Sequence, residues 1–583
     1  MRFLRALSLL TVTVSLSDGF LTPDAIYFKE RSTGSSLGWE RPKPRLAVTL
    51  HQNVHYPTRR CWVIRRFKSK FSDDDDDNDD DDELMTLLEQ SSKAGNLYYL
   101  DVLVVGAGAA GVGVTHALLR GGMEPKRMML IDRGDGVGSS FREWHETTRF
   151  ISPSWPGYPF GIQDLNAVVP DTSVFANNGN SEHPTGHEYA DYLERMMKGI
   201  NVPQMYKNAV TSIERVPQGC FVVKTARNKL FIAKYVVWCG GEWISPRLHK
   251  FKDFPVDAAV HYKFANVEDL LESRRSPEDP IVLVGGGEAG ADLGCALANR
   301  GARIVILESE SDDNDGNGGE KEEHVEEAVM DPSRRLSPAT QERIERNRDK
   351  IEFKTNARCL SAKRDHATDT VTVTFEERGG GGNNKAAVVE TIDTGANVVM
   401  CTGFDPSRNS VLKERFRWKD GSPIVTPEHD ESTITKDLYF AGPALMHTLT
   451  CRPGQEDVVE EKEKGNNNEN EGDDDSKNII FCFVYKYRTR FAVVASEILR
   501  RFVEDQRSLN ETEETKSEFS KEALEAIETK REQMQKYYRS KGMMLTDLSC
   551  AQLACGMNEN DAPVYDYYDD GCGEACEKCD TCE

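Results

Sequence analysis

Apolar and polar positions fall in blocks along this chain, and one order of blocks occurs twice. Tyr98 to Val105 is a short, nearly uninterrupted apolar run that enters the turn Gly106-Ala107-Gly108-Ala109-Ala110-Gly111. A helical pattern follows to Arg120, and a second apolar run, Met128 to Ile131, ends at Asp132. Runs this short, bounded by turn residues, predict strands buried on both faces. The plan returns with Ile281 to Val284, the turn Gly285-Gly286-Gly287-Glu288-Ala289-Gly290, a helix to about Arg300, and the strand Arg303 to Leu307 ending at Glu308. Each unit then leads into a predicted hairpin, Phe221 to Thr225 with Leu230 to Val237 in the first case and Thr370 to Phe375 with Ala387 to Thr391 in the second. Each hairpin leads on to an apolar strand that ends in glycine, at Gly240 and Gly403. Leu438 to Gly442 is expected to return the chain to the first unit, and the helical spacing of Phe481 to Phe502 to close it.

The predicted class is therefore α/β, with two Rossmann-like domains, the second inserted into the first. The expected partition is 97–250 and 401–505 for the first domain and 278–400 for the second. The flanks read as a signal peptide (1–19), a transit-like and acidic disordered linker (20–96), and a polar segment with a Cys-rich tail (506–583).

Composition adds little to the fold and more to the surroundings. Hydrophobic residues make up 38% of the 583, and 45 glycines bring the apolar share near that of an ordinary globular chain. The net charge of −24 is concentrated in the runs Asp73 to Glu83, Glu308 to Glu327 and Glu456 to Asp475, which read as solvated linkers or surface insertions. The acidic balance argues against nucleic-acid binding. At the N-terminus, Arg2 and Arg5 precede the uncharged run Ala6 to Ser17, with small residues Ser17 and Gly19 before Phe20. That is secretory signal-peptide layout, too short for a membrane span. From Arg41 to Phe71 there is no Asp or Glu, while Arg59, Arg60, Arg65, Arg66, Lys68 and Lys70 recur, a transit-peptide composition. The pair points to a plastid reached through the secretory route, with the ER lumen or secretion as the alternative. Elsewhere no apolar stretch has the length of a transmembrane helix.

The glycines carry the chemistry. A diphosphate must come close to the backbone, so the first glycine makes the tight turn, the second leaves room for the pyrophosphate, and the third lets helix and strand pack. The helix N-terminus then offers unpaired N–H groups to the phosphates, and an acid about 20 residues on binds the ribose hydroxyls. Gly106, Gly108, Gly111 with Asp132, and Gly285, Gly287, Gly290 with Glu308, satisfy both halves of this pattern. Two such sites in one chain suggest FAD on the first and NADH or NADPH on the second, with hydride passing between them. Glu308 would oppose a 2′-phosphate, which favours NADH.

From these residues the chain resembles the two-dinucleotide-binding flavoproteins, the pyridine nucleotide-disulfide oxidoreductases and flavin monooxygenases, over roughly Leu97 to Phe502. Gly138-Ser139-Ser140-Phe141-Arg142 and on to Ile151 is similar to the segment following the FAD ribose acid. Asp437 to Gly442 resembles the second FAD motif, though Pro443 stands where that motif usually carries an Asp. Phe481 to Arg488 resembles the helix start that faces the flavin, which would bring Tyr485 and Lys486 near its edge. Thioredoxin-reductase-like and CzcO-like bacterial flavoproteins and the ER flavoprotein associated with degradation share these features. The resemblance implies an FAD-dependent NAD(P)H oxidoreductase. Two family marks are missing: neither fold contains a CxxC or CxxxxC dithiol, and the monooxygenase fingerprint is broken, with Phe254 and His261 one residue too far apart.

Six of the 14 cysteines lie after residue 549, four of them as Cys572, Cys576, Cys579 and Cys582. Such spacing suits a disulfide relay, with Cys576 and Cys579 as its redox pair, or a metal site. The expected acceptor is a small-molecule or protein disulfide, which includes these tail cysteines. The alternatives are a monooxygenase acting on a small molecule and an FAD-binding scaffold with a metal-binding tail. Cys239, Cys295 and Cys401 read as buried small hydrophobes. In His183-Pro184-Thr185-Gly186-His187-Glu188-Tyr189, Thr185 and Glu188 read as a helix capping box, with His183 or His187 near the flavin as the second reading. Trp155, Pro156 and Tyr158 read as a flavin wall or as loop packing.

Overall fold

A computed structural model describes residues 86 and 88–546, apart from 146–147, 156–162, 176–180, 218, 248–257, 310–335, 378–387, 420, 451–475, 481–482 and 512–516. The expected flanks up to residue 85, the acidic runs apart from 308–309 and the cysteine tail lie outside the described residues, as do Pro156, Tyr158 and Phe254. The end of the expected disordered linker is instead ordered, a short helical stretch whose Leu88 is buried with Val216, Cys220 and Val222.

The first domain begins with strand β1 (Leu97–Val105), helix α1 (Ala109–Arg120), strand β2 (Met128–Ile131), the single turn α2 (Ser139–Arg142) and helix α3 (Gly186–Met197). Strands β3 (Gln204–Met205), β4 (Val210–Arg215), β5 (Phe221–Thr225) and β6 (Leu230–Trp238) follow. β1 lies between β2 and β6, parallel to both, which is why its sequence is almost continuously apolar. β5 and β6 form the expected antiparallel hairpin, and β4 extends it by one strand that its mixed sequence Val-Thr-Ser-Ile-Glu-Arg hides.

The second domain comprises β7 (Ala259–His261), α4 (Val267–Glu272), β8 (Ile281–Val284), α5 (Glu288–Asn299), β9 (Ile304–Glu308) and α6 (Pro338–Arg346). Its remaining strands are β10 (Ile351–Thr355), β11 (Ala357–Asp365), β12 (Thr370–Glu377), β13 (Val388–Thr394) and β14 (Val398–Met400). A parallel five-stranded sheet runs β10-β9-β8-β14-β7, so its edge strand comes from residues 259–261, upstream of the expected start at 278. The sheet's two faces bury different partners by strand alternation. Ile281, Leu283, Ile304 and Ile306 pack with Leu293 and Leu297 of α5. Val282, Val284, Val305 and Leu307 pack with Val371, Val373 and Phe375 of the antiparallel sheet β11-β12-β13. The expected two-stranded hairpin is thus three-stranded, because β11 buries Ala357 and Cys359 in alternation, and Ala362 beyond a bulge, and pairs with β12.

The chain then makes the short hairpin β15 (Arg417–Lys419) and β16 (Ser422–Ile424) and returns with β17 (Leu438–Phe440), which pairs in parallel with Val236–Trp238 of β6. β5 flanks the first half of β6 and β17 the second, so the second domain is inserted between strands of one seven-stranded sheet. Strands β18 (Met446–Thr450) and β19 (Ser476–Ile480), the turn α7 (Val484–Tyr487), and helices α8 (Phe491–Glu511) and α9 (Lys521–Ser540) complete the chain. Among the described residues no helix is long and apolar enough to cross a membrane.

α9 lies where the sequence suggested a polar, partly helical connector. Leu524, Ile527, Met534 and Tyr538 recur on one helical face and are buried in the core of the first domain, along with Met543 and Met544. The end of this segment is fastened from within. The wholly buried Arg490 binds Asp430 at 2.8 and 2.9 Å, and donates to the carbonyls of Pro427 (2.6 Å) and Leu545 (2.7 Å). His447 also donates to Asp430. Burial alone would raise the Asp430 carboxyl, but the Arg490 charge and the His447 hydrogen bond hold it below its usual range. A chain ending at Arg539 loses the buried side chains of 543–545 and leaves Arg490 one acceptor short. It is expected to be less stable in urea than a chain ending at Thr546 by about 4 kcal/mol. Equal midpoints would show that this segment does not contribute to the core.

Candidate functional site

Between the two glycine turns lies a cavity of about 920 Å³. The two turns are built alike. Gly106 has φ +109, and a Cβ there would sit 2.3 Å from the Cys239 carbonyl oxygen. At Gly111 it would sit 1.8 Å from the Gly106 carbonyl oxygen, while at Gly108 it would meet nothing within 4 Å. In the second turn, Gly285 has φ +112 and stands 2.4 Å from the Cys401 oxygen by the same measure. Gly290 stands 2.1 Å from the Gly285 oxygen, and Gly287 again faces open space. The first and third glycines thus pack backbone on backbone, and the second leaves a gap at the helix start. α1 and α5 have Gly108 and Gly287 at their N-caps with no side-chain cap, so their first-turn N–H groups are left for a ligand. Both cradles fit a dinucleotide pyrophosphate.

The acids at the strand ends differ. Asp132 lines the cavity and accepts hydrogen bonds from the Ala107 N–H (2.6 Å), the Gly134 N–H (2.6 Å) and the Ser139 hydroxyl (3.2 Å), so it orders the first loop. Glu308 lies along Gly286, where a Cβ would come 2.7 Å from the carboxyl carbon. Within the second turn, Glu288 receives the Ser337 N–H and the Thr340 hydroxyl (2.6 Å), and Asp292 receives Arg343 at 2.5 Å. These bonds hold α6 over the second glycine turn. Gly442, with φ +137, comes within 3.7 Å of Ala110 Cβ by the same measure, and Pro443 lines the cavity.

The walls are aromatic. Trp144 lies 5.0 Å from Phe150 and 6.4 Å from Trp243, ring to ring, and Trp243 lies 5.0 Å from Phe404. Phe483, Val484 and Tyr487 line the side reached by α7, whereas Tyr485 stacks on Phe483 at 5.4 Å. The capping box is present as expected, with Glu188 N–H donating to the Thr185 hydroxyl and Thr185 N–H to the Glu188 carboxylate. His183 lines the cavity with Nδ1 at 2.9 Å from the Phe150 carbonyl, while His187 is exposed. The Trp155 carbonyl accepts the Ser173 hydroxyl at 2.7 Å, a loop-packing contact.

His261 is buried and joins the two crossovers: its Nδ1 accepts the Lys263 N–H, which leaves Nε2–H to donate to the Gly403 carbonyl at 3.0 Å. Burial lowers its pKa, so it serves as a neutral strut. Cys239, Cys295 and Cys401 are buried as expected. Burial pushes the Cys401 thiol up to about 12 and the Cys239 thiol higher still, so neither supplies a thiolate.

Sequence reasoning passed over the side chains that the crossovers bring to the cavity, Glu242 and Trp243 on one and Phe404 on the other, together with Arg149, Arg247 and Arg343. Only their places beside Gly240-Gly241 and Thr402-Gly403 could have marked the first three.

The family model described as pyridine nucleotide-disulphide oxidoreductase matches residues 103–442, from β1 to the end of the returning segment. The chain belongs to this family. It is an oxidoreductase, and FAD and NAD(P)H are the cofactors of its family. Among solved structures, it is similar to the bacillithiol disulfide reductase of Staphylococcus aureus, with 15% identity, a TM-score of 0.47, and 69% of this chain and 99% of that one covered. The ornithine N-hydroxylase of Kutzneria sp. 744 gives 16%, 0.46, and 69% and 100%. The T. acidophilum thioredoxin reductase gives 17%, 0.43, and 70% and 99%.

The glycine geometry separates packing from binding. Gly111→Ala and Gly290→Ala should each destabilise the flavin-free protein by about 3 kcal/mol or more in urea, since their Cβ atoms meet backbone. Gly108→Ala and Gly287→Ala should cost about 1 kcal/mol or less, because each Cβ enters open space. Equal losses at all four positions would mean that the second glycines are also packing residues.

Proposed function

We propose that this oxidoreductase holds FAD on the first glycine turn and NAD(P)H on the second, and passes electrons to a thiol/disulfide acceptor. The observation that carries the reading is the matched pair of cradles opening on one cavity. With both cofactors bound, the nicotinamide would supply a hydride and the flavin would accept it, and the protein's part is to orient the rings and exclude water. α1 and Asp132 fix the first loop; α5, Glu288 and α6 fix the second.

Cys239 is the cysteine that lines the cavity among the described residues, and its buried thiol is unsuited to relay. Acceptor sulfurs therefore come from elsewhere: Cys576 and Cys579 of the tail, or a disulfide substrate. A monooxygenase acting on a small molecule is the second reading, favoured by the aromatic walls. Delivery to a plastid through the secretory route belongs to the same proposal; a fluorescent fusion of residues 1–96 retained in the ER would redirect it to the lumen.

The purified protein is expected to be yellow, with about one FAD per chain, and to be bleached anaerobically by NADH or NADPH. Gly108→Asp should lose FAD, because its carboxylate would occupy the pyrophosphate's place; normal flavin content in this variant would overturn the assignment of the first site. Glu308→Arg should shift preference toward NADPH, and an unchanged ratio of efficiencies would remove Glu308 from the ribose site. After reduction, rapid turnover of disulfides that is lost in Cys576→Ser/Cys579→Ser supports the tail relay. Oxygen consumption coupled to a hydroxylated product supports the monooxygenase.

A further inference from the structure

Four carboxylates line the cavity among the described residues: Asp132, Glu242, Glu288 and Asp292. Three are committed, Asp132 to loop N–H groups, Glu288 to the start of α6, and Asp292 to Arg343. The carboxyl group of Glu242 makes no hydrogen bond or ion pair among the described residues. Its backbone, by contrast, is firmly held. Gly241, with φ +65, turns the chain, and Ser245 N–H closes the turn on the Glu242 carbonyl at 2.9 Å. The Trp243 indole donates to Glu143 at 2.7 Å, and Lys263 donates to the Trp243 carbonyl at 2.8 Å. Arg247 N–H binds the Gly403 carbonyl at 2.9 Å, and Asp405 N–H the Ser245 carbonyl at 2.8 Å. This hydrogen-bonded turn thus presents one unpaired acid to the cavity between the two glycine turns.

We propose that Glu242 supplies the proton when the acceptor disulfide is reduced. This deepens the reading above and rests on it. Two electrons from NAD(P)H, delivered through the flavin, enter the S–S bond and break it. The two sulfurs take two protons, one accompanying the electrons as part of the hydride equivalent and one from the Glu242 carboxyl, whose carboxylate then regains a proton from water. The charged groups sharing the cavity do not preclude this. Arg343 is engaged by Asp292, Arg149 by the His183 carbonyl, and Arg247 by the Phe404 carbonyl, while Arg133 lies 3.9 Å from Glu143. Burial pushes the Glu242 carboxyl up to about 6 against the pull of Arg247, which suits an acid facing a thiolate of pKa about 8.5.

The test compares the wild-type holoenzyme with Glu242→Gln and Glu242→Asp, following flavin reduction by NADH or NADPH and its reoxidation separately. Reoxidation by hydroxyethyl disulfide should fall roughly tenfold per pH unit above about pH 6 in the wild type. Glu242→Gln should slow it roughly 100-fold at pH 6 and flatten that limb, and Glu242→Asp should restore much of it. A nitroaromatic disulfide, whose departing thiolate is a weak base, should be affected far less. Infrared titration of flavin-free protein should show a carboxyl band with a midpoint near pH 6 that is absent in Glu242→Gln. Equal slowing with both disulfides, an unchanged pH profile, or no such band overturns the proposal. Failure of both NADH and NADPH to reduce the flavin in the wild type sinks instead the reading on which it rests.

Discussion

Backbone packed directly on backbone is the constraint from which the rest of this structure follows. At Gly111 the helix rests on the Gly106 carbonyl, and Gly106 in turn rests on the Cys239 carbonyl at the end of β6. One residue of the first turn therefore fixes three elements: the end of β1, the start of α1, and the point where the chain leaves for the second domain. The same contact recurs through Gly290, Gly285 and Cys401. Any side chain at these glycines would push the helix N-terminus away from the strand ends, and the gap at Gly108 or Gly287 would lose the shape of a phosphate cradle.

The paired contacts also explain where the cavity lies. The residues that receive the glycine turns, Cys239 and Cys401, sit at the starts of the two crossovers between domains. These crossovers are bonded to each other through Arg247, Thr402 and Asp405. Thr402 donates to the Arg247 carbonyl at 2.7 Å, and His261 adds a neutral link to Gly403. Both helix starts are thereby turned toward one space.

The repeat of strand, glycine turn, helix and strand was legible because buried parallel strands and the turn between them impose a strict local pattern. The insertion was legible for the same reason: Leu438 to Gly442 is a short apolar run of the kind buried on both faces, and β17 indeed pairs with β6. β4 and β11 escaped because edge and antiparallel strands bury one face, and their exposed Arg, Lys and Glu residues mask the alternation. α9 escaped because its buried positions are spaced among Glu, Lys and Gln, a composition shared by solvated connectors. The cradle glycines of the site could be read from the chain, since each answers a local steric demand. Glu242, Trp243 and Phe404 could not, because their importance arises only when residues 242 and 404, far apart in sequence, are bonded into one crossover.

That difference bears on how the site divides its work. Two carboxylates beside the glycine turns are taken up by their own neighbours: Asp132 by the loop it orders, and Glu288 by α6. Their hydrogen bonds commit both carboxylates to holding the loops around the turns. Cys239, the thiol at the cavity, is held neutral and inert by burial. Proton exchange near neutral pH requires a group that is neither paired nor fully excluded from water. The hydrogen-bonded turn at residues 241–247 can hold such a group without collapse onto a partner. The matched glycine turns are thus built into the repeated folds, while Glu242 stands where the two folds are joined.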